Sequence, residues 1–139
     1  WWIMKRKLMV LLDSLSLQEE AFQYSVELAK RLDYSLILLV LLPLDSEEAS
    51  HAGDLESLAG DALRAPMKSA ADQGVEVEAE IRLGNPSSEL MKCLASTRSI
   101  QTIVWGGPMD EGNPKRNKTH WLFKIKDTLG YPVVVPFTK

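Results

Sequence analysis

The chain has 139 residues, 45% hydrophobic and 25% charged, with a formal net charge of −3. That suffices for one domain with a full core, and it is too apolar for a disordered chain. The mildly acidic balance gives no basic footprint for nucleic acid or an anionic membrane, so neither is expected as a partner. A lone cysteine, Cys93, excludes an intrachain disulfide and fits a reducing, cytoplasmic compartment.

Trp1, Trp2 and Ile3 precede a natural-looking start at Met4-Lys5-Arg6-Lys7 and are read as upstream or appended residues. A membrane-proximal tail is the alternative, because tryptophans suit an interface. Leu8 to Leu12 is wholly apolar and predicts a central strand buried on both faces. Ser16, with Glu19 three residues later, has the spacing of a capping box. Ala21, Phe22, Ser25, Val26, Leu28, Ala29 and Leu32 then follow helical spacing, so a helix is predicted from Leu17 to Leu32.

Ser35 to Leu42 is a second buried strand, stopped by Pro43. The apolar run here ends at Leu44, far short of the ~20 residues a spanning helix needs. Residues 43–54 are acidic and small and read as a solvated loop. Asp54 can cap a helix carrying Leu55, Leu58, Ala59, Ala62 and Leu63, with a kink or restart expected at Pro66 and an end near Gln73. From Val75 to Leu83, apolar residues alternate with Glu76, Glu78, Glu80 and Arg82. This predicts an edge strand with its charged face in solvent.

Asn85 and Pro86 suit the N-cap and first position of a third helix, with an apolar stripe at Leu90, Met91, Leu94 and Ala95. Cys93 lies inside this pattern and reads as a packing residue. Ile100 to Trp105 is a fourth strand. A glycine- and proline-rich loop follows over 106–117. Trp121, Leu122, Ile125 and Leu129 then give a last amphipathic helix, ended by Gly130 and Pro132. Val133 to Phe137 closes the chain as a fifth strand.

Strict β-α alternation predicts an α/β fold: one domain over residues 1–139, built on an open five-stranded parallel sheet with helices on both faces. Ligands of such sheets bind beyond the carboxyl ends of the strands where strand order reverses. That singles out Asp13 and Ser14 after strand one, Val40 to Leu42 at the end of strand two, and Gly106 onward after strand four. The Walker phosphate loop, the G-x-G-x-x-G fingerprint and the G-x-S-x-G elbow are absent from the sequence. His51 and His120 have no partners at metal-ligand spacing. A phosphoacceptor receiver would need clustered acids after strand one, where only Asp13 stands. With no nucleophile, general base and oxyanion donors in register, no catalytic residue is assigned.

Leu8-Met9-Val10-Leu11-Leu12-Asp13, Gly84-Asn85-Pro86-Ser87, Thr102-Ile103-Val104-Trp105-Gly106 and Tyr131-Pro132-Val133-Val134-Val135 together resemble the strand-end and turn motifs of universal stress proteins. The resemblance spans Lys5 to Phe137 and implies the adenine nucleotide alpha hydrolase-like fold. It also implies a role in stress response, and a nucleotide site formed by Asp13, Val40, Leu41, Gly106, Gly107, Gly112 and Thr119. Asp13 would contact the base or ribose; its other reading is a turn residue ending strand one.

ATP binders of the family resemble G-x2-G-x9-G-[ST] after strand four, and this chain departs from that pattern. Counted from Gly106, Met109 replaces the second glycine and Thr119-His120 stand at the final pair. Counted from Gly107, the replacements are Asp110 and then His120-Trp121. Side chains at those points crowd a phosphate, and Asp110 and Glu111 repel it. Gly112, Lys115, Arg116, Lys118 and Thr119 favour an anion instead, or form a solvated basic loop.

The resemblance therefore implies a non-catalytic stress-response module lacking tight ATP binding, with no cofactor. An ATP-binding protein with a re-shaped loop and a regulatory domain of a larger membrane transporter are the alternatives. The apolar last strand, Val133, Val134, Val135 and Phe137, would pair with its twin in a homodimer, and an unknown protein partner is also open.

Overall fold

The computed structural model describes residues 6–42, 55–107 and 121–135. Strands β1 (Lys7–Leu12), β2 (Ser35–Leu42), β3 (Val77–Leu83), β4 (Ile100–Trp105) and β5 (Val133–Val134) form one sheet in the order β3-β2-β1-β4-β5. Every pairing is parallel. The helices are α1 (Glu19–Leu32), α2 (Leu55–Asp72), α3 (Pro86–Ser96) and the short α4 (Trp121–Ile125), which continues as a 3-10 turn over Lys126–Thr128. Among the described residues no helix is long and apolar enough to cross a membrane.

The two continuous apolar runs take the centre because both of their faces are covered. Leu8, Val10 and Leu12 of β1, with Leu36, Leu38, Val40 and Leu42 of β2, pack with Phe22, Val26 and Ala29 of α1 and with Leu63 and Ala70 of α2. The intervening residues Met9, Leu11, Ile37, Leu39 and Leu41 meet Leu90 and Cys93 of α3 and Leu122 of α4 on the other face. The period-two direction of side chains along a strand separates these two cores.

The first helix starts later than its sequence suggests. Its N-cap is Gln18, with no side-chain capping bond, so the Ser16–Glu19 capping box does not form. Ser16 instead donates its N–H to Ser14 Oγ at 3.2 Å, and Gln18 donates its N–H to the Gly106 carbonyl at 2.8 Å. Tying the chain to the end of β4 places the helix start at Glu19. By contrast α3 begins as expected: Asn85 Oδ1 accepts from the Ser88 N–H at 3.0 Å and Pro86 is the first helical residue.

Pro66 lies inside a single assigned helix rather than dividing it. In α3 the buried stripe runs through Leu90 and Cys93, whereas Met91 is 45% exposed and Ala95 is exposed. β3 is an edge, but its charged face is not fully in solvent. Glu80 and Arg82 are half-buried on the α3 side, where Arg82 pairs with Glu80 at 3.1 Å and Glu89 at 3.7 Å. Parallel crossovers put helices on both faces of the sheet, which partly covers even this edge. The last helix turns to 3-10 after Ile125, and Gly130 leaves it with φ 75°. β5 is shorter than expected: only Val133 and Val134 pair with Ile103 and Val104. Phe137 lies outside the described residues.

Candidate functional site at the strand-order reversal

Strand order reverses at β1. β2 lies on one side of it, and the chain returns to the other side with β4. The carboxyl ends of β1 and β4 thus border the crevice that a sheet of this kind offers to ligands. Asp13 and Ser14 leave β1 there, and Gly106 and Gly107 leave β4.

These residues are held by the chain itself. Gly106 donates its N–H to the Leu11 carbonyl at 2.8 Å and accepts from Gln18 through its own carbonyl. A Cβ on Gly106 would lie 2.6 Å from Val10 Cγ1, 3.1 Å from Leu17 Cδ1 and 3.3 Å from Leu12 Cδ2. The glycine is therefore demanded by the close approach of β1 and the β1–α1 connection. A Cβ on Gly107 would meet the Trp105 ring at 3.0 Å.

Asp13 is half-buried, and its Oδ2 accepts a hydrogen bond from Trp121 Nε1 at 3.1 Å. The carboxylate makes this bond stronger than one between neutral groups. The Trp121 ring meets Trp105 edge to face, with centroids 6.1 Å apart and planes at 76°, the geometry that ring quadrupoles favour. Trp105 is buried, so it is a fixed wall against which the half-buried Trp121 is set.

The structure brings Asp13, Gly106 and Gly107 together at one end of the sheet. Val40 and Leu41 are at the same end, but their side chains are fully buried in the two cores and do not line the crevice. Gly112 and Thr119 lie outside the described residues. The residue that sequence reasoning left unassigned to the site is Trp121, read there as part of a helix stripe. Its contact with Asp13 spans 108 positions, so no local pattern reports it. The one hint was the glycine spacing counted from Gly107, which puts Trp121 where a hydroxyl is expected.

Two cavities lie elsewhere. One of about 610 Å³ opens at the amino ends of the strands, among Lys7, Ile37, Glu78, Glu80, Thr97 and Arg98. Lys7 Nζ and Glu78 Oε1 pair there at 2.8 Å. The other, about 510 Å³, lies between α1 and α2 and is walled by Leu15, Leu17, Phe22, Ala62 and Pro66. Neither is lined by Asp13, Gly106 or Gly107. Cys93 is buried beside Glu80, whose Oε2 is 3.5 Å from the sulfur. Burial pushes the thiol above its ordinary value and the Glu80 carboxylate adds to this, against the Thr97 hydrogen bond, so it is a poor nucleophile. Among the described residues no group of His, Cys, Asp and Glu is placed to hold a metal ion.

No curated protein is significantly similar to the chain in sequence. Solved structures are similar in fold. The universal stress protein UspA from Lactobacillus plantarum superimposes with a TM-score of 0.71 at 19% identity, covering 97% of this chain and 99% of its own. A universal stress protein in complex with cAMP gives 0.64 at 14% identity, with 96% and 98% covered. A universal stress protein family protein from Arabidopsis thaliana with AMP bound gives 0.58 at 20% identity, with 94% and 90% covered. The sequence model of the universal stress protein family matches residues 4–111, which includes β1 to β4 and both sides of the reversal point. The chain belongs to the universal stress protein family.

Proposed function

We propose that this chain is a non-catalytic stress-response module that does not bind ATP tightly and that assembles as a homodimer through β5. The observation that carries the reading is the closure of the reversal point on itself. The Asp13 carboxylate is taken by Trp121, the Gly106 amide and carbonyl by Leu11 and Gln18, and the Ser14 hydroxyl by Ser16. A triphosphate site needs backbone N–H groups at a glycine-lined turn, free to face the anion. Here Gly106 is occupied by internal packing, and the sequence beyond it replaces the remaining glycines of the family pattern. The residues present therefore do not fit the triphosphate. The dimer reading rests on the edge strand β5 and the residue after it, where Val133, Val134 and Val135 are half-buried and none is charged.

A second reading, adenine nucleotide binding with a re-shaped loop, draws on the AMP- and cAMP-bound family structures above. Native mass spectrometry with and without millimolar Mg-ATP separates the two. A dimer that stays bare supports the first reading. A dimer that carries or takes up nucleotide overturns it and makes the protein a nucleotide-responsive module.

A further inference from the structure

In the two segments that leave β1 and β4 at the reversal point, residues 13–18 and 106–107, Asp13 is the one ionisable side chain. Any ligand recognised there by a hydroxyl, an amine or a ring N–H has this carboxylate as its strongest acceptor. The carboxylate is already engaged at 3.1 Å by an indole N–H. That indole comes from the far end of the chain and is braced by the buried Trp105.

We propose that Trp121 sets the ligand affinity of the reversal-point crevice, by competing with the ligand for the Asp13 carboxylate. The inference rests on reading the crevice as the ligand site of this chain, and it names the residue that weakens that site. Three features make Trp121 an effective competitor. Its donor is intramolecular, so forming the bond loses no translational freedom, whereas an incoming ligand does lose it. Indole can only donate, so it satisfies the acceptor Asp13 without offering a ligand any acceptor in exchange. Its ring is held by the edge-to-face contact, so the N–H is presented in a fixed direction.

Trp121→Phe removes the N–H and keeps an aromatic ring against Trp105; Trp121→Leu, which also lacks a donor, is the second variant should the first not fold. AMP and Mg-ATP are titrated by calorimetry into the wild-type chain and each folded variant, with circular dichroism to confirm the fold. Loss of a hydrogen bond to a charged group predicts affinity at least tenfold higher in the variants than in the wild type. The wild-type spectrum adds an independent readout. Of the indole N–H signals from the four tryptophans, the one missing in Trp121→Phe belongs to Trp121, and bound nucleotide should displace it.

A bare wild type with nucleotide-binding variants supports the proposal. Variants that fold yet stay as bare as the wild type overturn it and leave the proposed function standing. A wild type that binds tightly, with variants no tighter and an unmoved Trp121 signal, overturns both. A tight wild type with still tighter variants overturns only the proposed function.

Discussion

Replacing Gly106 with alanine adds one methyl group at the carboxyl end of β4, and its position is known from the backbone. The new Cβ would lie 2.6 Å from Val10 Cγ1, where carbon atoms rest at about 3.5–4.0 Å. Leu17 Cδ1 and Leu12 Cδ2, at 3.1 Å and 3.3 Å, hem in the same point. Val10 is fully buried in the α1–α2 core and cannot swing into solvent. Overpacking of this kind costs about 1–3 kcal/mol. Gly106 is not in the left-handed region, so alanine also stiffens the unfolded chain and returns about 0.4–1 kcal/mol. The net expectation is a loss of about 1–2 kcal/mol, seen as a melting temperature about 3–10 °C lower by circular dichroism, with no nucleotide present.

A double-mutant cycle assigns the cause. In a Val10→Ala background the clashing Cγ1 is gone, and the cost of Gly106→Ala should fall by about 1 kcal/mol. Equal stability of Gly106→Ala and the wild type, or strict additivity of the two substitutions, would refute the argument. The glycine would then have to be explained by a ligand rather than by packing.

Three other outcomes follow from the same structure. Asn85→Ala removes the acceptor for the Ser88 N–H at the start of α3 and should cost about 1 kcal/mol in urea unfolding, while Asn85→Ser should restore most of it. The raised Cys93 thiol ionises less readily in the folded chain than in the unfolded one. Its contribution to stability is therefore present below the ordinary value of 9.0 and is lost as pH rises above it. Urea midpoints should fall more between pH 8 and pH 10 for the wild type than for Cys93→Ala, and equal slopes would contradict the assignment. For the dimer, sedimentation should show a concentration-dependent dimer mass. The Pro132 carbonyl accepts from Ile103 on β4. The alternation of a parallel ladder then turns the Val135 N–H to the open edge, and Val135→Pro should give monomers. A concentration-independent monomer mass for the wild type removes the dimer reading.

The elements were legible in the sequence wherever the signal is local. The continuous apolar runs of β1 and β2 read as strands buried on both faces, and the alternation from Val75 to Leu83 read as an edge strand. Asn85-Pro86 carried the start of α3 in its own chemistry. Element ends were less legible where a distant partner set them. The Ser16–Glu19 spacing is as good a capping signal as Asn85, yet Gln18 became the N-cap because its N–H reaches the Gly106 carbonyl. The charges of β3 read as solvent-facing because the sequence does not show that α3 leans over Glu80 and Arg82.

The same division holds at the site. The order β3-β2-β1-β4-β5 came with the structure, but a parallel sheet with its candidate site at the carboxyl ends of the strands followed from β-α alternation, so Asp13 and Gly106 could be chosen from the sequence. Which groups meet there could not. The glycine at 106 looks the same in sequence whether it admits a phosphate or the Val10 side chain; only the 2.6 Å approach distinguishes them. The partner of Asp13 is decided by the return of the chain after β4, which carries Trp121 back to the end of β1. Apolar periodicity determines which faces are buried, because burial depends on a residue and its near neighbours. Hydrogen-bond partners far apart along the chain are determined only once the elements are packed, because that bond depends on the positions of two atoms to within a few tenths of an ångström.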